Sequence, residues 1–137
     1  MKEFRALVEA GDFAGLEDLL ADDVVFRSPV AFKPYEGKAI VAAILRGVGR
    51  VFTDFTYVRE LADADGHGSA LIFETFVDGT SLNGIDLIRT DDEGKICEFT
   101  VMVRPLSAAN ALAAAMGAQF PQIQAEAVAA LSGEASR

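Results

Sequence analysis

The chain predicts an α+β fold: a cone-shaped, curved antiparallel sheet wrapped around N-terminal helices, a cystatin-like α+β roll with an extra C-terminal helix. Three observations carry this expectation. Apolar residues recur at helical spacing in the first half, through Ile40, Val41, Ile44, Leu45, Val48 and Phe52. From Thr53 onward the period switches to two. The second half is then cut into consecutive strands by Ala64-Asp65-Gly66-His67-Gly68, Asp78-Gly79 and Asp91-Asp92-Glu93-Gly94. Asp-Gly between apolar runs marks a hairpin, because both turn positions call for positive φ. Consecutive hairpins make the sheet mainly antiparallel, and sheet plus segregated helices is the α+β pattern.

The elements follow in order. Phe4, Leu7 and Val8 give a first helix that Ala10-Gly11 stops. Asp12 is placed to cap a second short helix with Phe13, Leu16, Leu19 and Leu20 on one stripe. Val24–Ser28 reads as a strand ended by Pro29, and Val30–Glu36 as a loop. Gly37 leads into the third helix, in which Gly47 and Gly49 weaken the last turn. Four strands are expected at about 54–62, 69–77, 80–90 and 95–104. Pro105 ends the last of them. An Ala-rich segment, 107–119, is followed by Pro121 and a second helical piece near 122–132. The whole reads as a single domain over 1–137, with a core at 1–105 and a helical extension at 106–132.

Composition bounds the function. The 137 residues are 51% apolar and 24% charged, enough for one sizeable core. Twelve Lys and Arg against 21 Asp and Glu give a net charge of −9, which argues against nucleic acid and anionic membranes as partners. The N-terminus lacks the apolar stretch of a signal peptide, and no apolar run is long enough to span a bilayer. One cysteine, Cys97, precludes an internal disulfide and suits a reducing cytoplasm. One histidine, His67, with one cysteine speaks against structural zinc, and no phosphate-binding glycine loop is present, so no metal or cofactor is expected.

Strand parity locates the candidate site. In the last strand Cys97, Phe99, Val101 and Val103 form the expected core face. In strand 69–77 the uncharged set Leu71, Phe73, Thr75 and Val77 is assigned to the core. The opposite face keeps Ile72, Phe76 and Met102, which suggests a homodimer through the sheets, against the alternative of scattered surface apolars. In strand 80–90, Asp86 sits within Gly-Ile-Asp-Leu-Ile. A carboxyl in apolar surroundings has its charged form disfavoured, so it can hold and move a proton near neutral pH. Asp86 is the candidate catalytic residue; the competing reading turns it outward to pair with a basic residue.

The expected ligand-binding residues are Ser28, Tyr57, Phe73, Phe99, Val101 and Met116. Tyr57 points inward only if its strand register agrees. Tyr35 is placed near the mouth. Arg59 is a surface residue or a partner of Asp86. Glu74 is expected to pair across strands with Arg104 or Arg89, and Asn83 to mark a bulge. His67 reads as a solvated turn residue and Cys97 as a small core residue. The tail, with Met116 and Phe120, is either a lid hinged at Gly117 and Pro121 or a packing surface for the body or a partner subunit.

Several motifs carry a family resemblance. They are Gly11-Asp12-Phe13-Ala14-Gly15-Leu16-Glu17, Leu20-Ala21-Asp22-Asp23-Val24, the Gly37-Lys38 helix start, and Gly84-Ile85-Asp86-Leu87-Ile88-Arg89 followed by Asp92-Glu93-Gly94-Lys95-Ile96. In order and spacing, over roughly residues 1–105, they resemble the nuclear-transport-factor-2-like superfamily, in its SnoaL-like and ketosteroid-isomerase-like branch. The resemblance implies a cone around a deep, mostly apolar pocket. Ketosteroid isomerases use an aspartate base before a proline, where this chain has Ser28 before Pro29, and a first-helix tyrosine, where it has Phe4. Asp86 matches their buried acid. The Asp-Arg-Asp set of limonene-epoxide-hydrolase-like relatives lacks a second inward Asp here. For the His-Asp pair of SnoaL-type cyclases, His67 lies in a turn. The resemblance therefore implies a small apolar molecule in the cone, handled by an isomerase- or cyclase-type acid–base enzyme through Asp86 or by a non-catalytic binding or assembly module.

Overall fold

The computed structural model of the chain describes residues 1–135. Helix α1 (Lys2–Glu9) buries Phe4 and Val8 on one stripe. The second short helix is a 3₁₀ helix, Ala14–Leu19, at whose start the Asp12 carboxylate accepts the Gly15 N–H at 3.0 Å. Leu20 is not part of it. It opens strand β1 (Leu20–Arg27), which begins earlier than the expected Val24. Leu20 pairs with Ile96 and Val25 with Glu98, so the chain between them bulges and pushes Asp22 and Asp23 into solvent. Two exposed acids inside a strand break its period, which is why its start is hidden in the sequence.

The expected loop before the third helix contains a two-residue strand, β2 (Tyr35–Glu36), paired with β1. Helix α2 (Lys38–Val51) runs through both of its late glycines. Each glycine admits a neighbour. A Cβ on Gly47 would lie 2.7 Å from Ile123 Cδ1, and one on Gly49 would lie 2.8 Å from Phe13 Cγ. Close packing at these points outweighs the ~1 kcal/mol that glycine costs a helix interior.

Strands β3 (Thr53–Ala62), β4 (Gly68–Val77), β5 (Thr80–Thr90) and β6 (Ile96–Arg104) form the expected meander. Asp78 and Gly79 have φ of 48° and 77°, as the hairpin motif requires. The six-stranded sheet has the order β2-β1-β6-β5-β4-β3, and the β1–β6 pair is parallel, the one departure from an antiparallel sheet. Joining the N-terminal strand to the meander at β6 sets the helices of the first half against the same sheet face.

Core parity in β4 is as expected, with Leu71, Phe73, Thr75 and Val77 buried, and in β5 the buried set is Leu82, Asp86 and Ile88. In β6 the parity is not as expected. Arg89 pairs with Glu98 and Thr90 with Ile96, so Cys97 is the extra residue of a bulge. Ile96 takes the core position, and Cys97 is half-buried, its Sγ directed at the Arg89 carbonyl at 3.4 Å.

The two expected C-terminal pieces form one helix, α3 (Leu106–Ala135), with Pro121 inside it. Pro121 has no N–H to offer the preceding turn. The helix continues because packing holds both sides: Ala108 and Leu112 before the proline, and Ile123 and Ala127 after it, are buried in the common core with α2. No helix among the described residues is long and apolar enough to cross a membrane.

Candidate functional site

Between the helices and the inner sheet face lies a cavity of about 70 Å³, counted as room for the centre of a water-sized sphere. One water needs ~10–15 Å³ by that measure, so the space as it stands holds several waters. Its wall is apolar. Phe4 and Val8 come from α1, Phe26 from β1, Val48 from α2, Phe99 and Val101 from β6, and Leu112, Met116 and Phe120 from α3. The Tyr35 and Phe120 rings meet at 5.7 Å. Tyr35 and Phe120 both line the cavity, and the polar side chains reaching it are Ser28, Tyr35, Tyr57 and Asp86.

The alternation of β5 delivers Asp86. Leu82, Gly84, Asp86 and Ile88 share the inner face, and Asp86 is only 7% exposed. The outward alternative is thereby excluded. The Tyr57 hydroxyl donates to Asp86 Oδ2 at 2.8 Å. The two residues sit on strands separated by β4, where Tyr57 pairs with Phe73 and Phe73 with Gly84. An aromatic cluster holds the Tyr57 ring in place: it meets Phe55 edge-on at 4.8 Å and Phe73 edge-on at 6.3 Å, while Phe52 and Phe55 lie against Phe73. Over the Tyr57 ring, at 5.6 Å, sits the Arg5 guanidinium, which also pairs with Glu9 at 3.2 Å and Glu60 at 3.4 Å.

Burial pushes the Asp86 carboxyl up to about 7, and the Tyr57 hydrogen bond pulls the other way. Burial, followed by the nearby Asp86 charge, raises Tyr57 far above its ordinary range, so it stays a phenol and a donor. Among the described residues Asp86 Oδ1 takes no protein hydrogen bond, and no buried side-chain oxygen is left sealed off without one. That oxygen is open to the cavity. The arrangement is one proton-bearing carboxyl near neutrality, steadied through one oxygen and free at the other.

Of the expected site residues, Ser28, Tyr57, Phe99, Val101 and Met116 line the cavity with Asp86. Phe73 does not. It is fully buried behind Tyr57, filling the space that a side chain at Gly84 would occupy. Arg59 lies on the outer side. Tyr57 pairs with Phe73 and Arg59 with Ile72, so Val58 is an extra residue and the alternation flips after it. Glu74 does not find its expected partners: Arg104 donates to Asn83 at 2.9 Å, and Arg89 pairs with Asp63 and Asp65. Asn83 stands in regular register and marks no bulge. His67 is held in its turn, half-buried, with Nδ1 3.1 Å from the Thr90 carbonyl oxygen.

The reading of the sequence missed Phe13, Phe52 and Phe55 as part of the site. Phe52 and Phe55 straddle the junction of helix and strand, where neither period applies. Their aromatic character was the only available signal. Among the described residues no group of three or more His, Cys, Asp or Glu could hold a metal ion.

A helix-filled open sheet with a buried acid facing its inner cavity defines the nuclear-transport-factor-2-like, ketosteroid-isomerase-like class of fold. Residues 1–99 match the SnoaL-like domain family, and the chain belongs to it. A steroid delta-isomerase from Pseudomonas aeruginosa is 47% identical, with a TM-score of 0.86 over 90% of each chain. An uncharacterised bacterial protein with a cystatin-like fold, from Silicibacter pomeroyi DSS-3, is 35% identical, with a TM-score of 0.75 over 85% of each chain. The epoxide hydrolase/cyclase-like enzyme SalBIII of salinomycin pyran-ring formation shares the fold at 19% identity, with a TM-score of 0.64 over 77% of this chain and 88% of its own. No curated protein matches the chain.

Proposed function

We propose that the protein is a cofactor-independent, isomerase-type enzyme that moves a proton on a small apolar ketone through Asp86. The observation that carries this reading is the buried Asp86 carboxyl, bonded to Tyr57 at Oδ2 and open to an apolar cavity at Oδ1. The likeness to a steroid delta-isomerase at 47% identity supports it. In the first step ionised Asp86 takes the proton from a carbon between a carbonyl and a C=C bond. The C–H electron pair enters the conjugated system, and the carbonyl oxygen takes the negative charge. Protonated Asp86 then returns the proton to the far alkene carbon, and the carbonyl re-forms. Atoms and electrons balance, and no second base is needed at Ser28. A carboxyl that titrates near 7 is suited to both half-steps. The apolar wall keeps bulk water from quenching the intermediate.

The same reading extends to assembly and location. Phe76, Leu87 and Met102 are 39%, 45% and 56% exposed on the outer sheet side, and a second copy covering them makes a homodimer. The lone half-buried Cys97 suits a reducing cytoplasm.

The test is a panel of β,γ-unsaturated cyclic ketones, from monocyclic to steroidal, followed by the rise in conjugated-enone absorbance. The wild type is expected to turn over at least one of them. Asp86→Asn is expected to lose at least about 10²-fold in kcat, with its circular dichroism unchanged. An Asp86→Asn variant as active as wild type ends this mechanism. Tight ligand retention without turnover by either protein makes the cavity a binding module.

A further inference from the structure

We propose that Arg5 is a positioning residue for Asp86: braced between Glu9 and Glu60, it clamps the Tyr57 ring so that the Tyr57 hydroxyl stays on the Asp86 carboxyl. The proposal rests on Asp86 as the proton carrier of the site and adds a residue on which its proton affinity depends.

The irregularity of β3 builds the brace. Tyr57 pairs with Phe73 and Glu60 with Leu71, and both partners are fully buried on the inner sheet face. Tyr57 and Glu60 therefore share that face. In a regular strand, residues three apart lie on opposite faces. The extra residue, Val58, brings these two to one side. Helix α1 lies on the same side, where its Phe4 and Val8 line the cavity together with Tyr57. Arg5 of that helix reaches Glu60 at 3.4 Å and Glu9, one turn further along α1, at 3.2 Å. Its guanidinium stands 5.6 Å from the centre of the Tyr57 ring.

One cation thus holds the ring from both helix and strand. Tyr57 is 5% exposed, whereas the Arg5 and Glu60 side chains are each 34% exposed, so the ion pairs lie on the solvent side of the ring. Ion pairs this exposed add little stability by themselves. A planar guanidinium meeting two carboxylates and a ring face at once is a geometry that suits arginine and not the point charge of lysine.

The consequence falls on Asp86. Burial raises its carboxyl, and the Tyr57 hydroxyl, the one protein group bonded to that side chain among the described residues, opposes the rise. Burial, the bonded Asp86 and then Glu9 raise the Tyr57 hydroxyl in turn, and Arg5 pulls it down, toward a stronger donor. The charged groups facing Tyr57 are Arg5 and Glu9 from α1, Glu60 from β3 and Asp86 from β5. Among the described residues Asp86 is the only charged side chain on the cavity wall. Loss of Arg5 frees the ring to tilt, weakens the hydrogen bond and favours the protonated carboxyl.

Carbon-13 detection of the labelled Asp86 carboxyl tests this with no substrate, in about 0.5 M salt, where exposed charges are screened within about 5 Å. Arg5→Met and Arg5→Gln, both good helix formers, are each placed in the wild-type chain and in the Tyr57→Phe chain. The phenylalanine keeps a ring under Arg5 and loses only the hydroxyl. With Tyr57 present, each Arg5 variant is expected to raise the Asp86 midpoint by about half a pH unit, an about three-fold fall in the ionisation constant. With Tyr57→Phe the same variants are expected to move it by less than about 0.2, because the group that carries the effect is gone. An Arg5 that only docks the helix lowers stability alike in both chains and leaves the midpoint in place, which overturns the proposal. Equal shifts in both chains also overturn it, since Arg5 then acts by its charge and not through Tyr57. A wild-type midpoint near the ordinary carboxylate value of 3.8 rejects Asp86 as the proton carrier and the brace with it. That failure is seen before any substitution, whereas failure of the brace alone is seen only in the change that the Arg5 variants make.

Discussion

The Phe73 ring occupies the space where a side chain on Gly84 would stand, directly behind the Tyr57–Asp86 pair. Gly84 is thus the gap that lets an aromatic residue support the site from the core. Gly84→Ala forces the ring to move toward Tyr57, against which it packs edge-on. Overpacking of this kind costs about 1–3 kcal/mol. A lowered thermal midpoint is expected. A variant as stable as wild type means that Phe73 has room to retreat.

Asp86 makes stability depend on pH with a defined sign. Its folded pKa of about 7 lies above the ordinary carboxylate value of 3.8, so the folded state binds the proton more tightly than the unfolded chain. The cost of burying the charge is absent below the unfolded pKa, grows between the two values and levels off above the folded one. The full span is at most about 4 kcal/mol, by the 1.36 kcal/mol that each pKa unit represents. Asp86→Asn removes this dependence. Its unfolding free energy relative to wild type is expected to rise from about pH 5 to about pH 8. Denaturant titrations at those two values decide it, and a constant difference rejects the buried acid.

Tyr57→Phe removes the one hydrogen bond that favours the Asp86 carboxylate. The Asp86 midpoint then moves further up, and the ionisation limb of the activity profile moves with it. Carbon-13 detection of the labelled Asp86 carboxyl reads the shift without a substrate. The lost bond itself is worth about 1 kcal/mol of stability. An unmoved midpoint shows that Tyr57 steadies the carboxyl without tuning it.

The outer sheet side carries Phe76, Leu87 and Met102 in the open. Sedimentation of the wild type is expected to show a dimer. Met102→Lys, which places a charge in that contact, is expected to raise the dimer dissociation constant at least about ten-fold without lowering monomer stability. A wild-type monomer at high concentration removes the sheet-to-sheet assembly.

The strands of the second half were legible because period and turn chemistry agreed. Leu71, Phe73 and Val77 alternate cleanly, and Asp78-Gly79 demands one kind of turn. Asp86 was legible for the opposite reason, as a charge where the alternation called for an apolar residue. What stayed hidden involves an extra residue or a distant partner. Val58 and Cys97 each add one residue to a strand: after Val58 the side chains change face, and at Cys97 the core place passes to Ile96 while Phe99 and Val101 keep theirs. No local pattern records the partner that absorbs such a shift.

The sequence by itself determined the class of fold, the inward-facing strand sets and the one acid in an apolar run. These follow from local periodicity and turn preference, which each segment carries alone. Only the tertiary structure decided that Tyr57 reaches Asp86 across β4 and that β1 joins the sheet parallel to β6. It also decided that α3 runs unbroken through Pro121, because Ile123 finds its place against Gly47. These are relations between segments far apart in the chain. Their energies come from burial and register, which exist only once the sheet has closed around the helices.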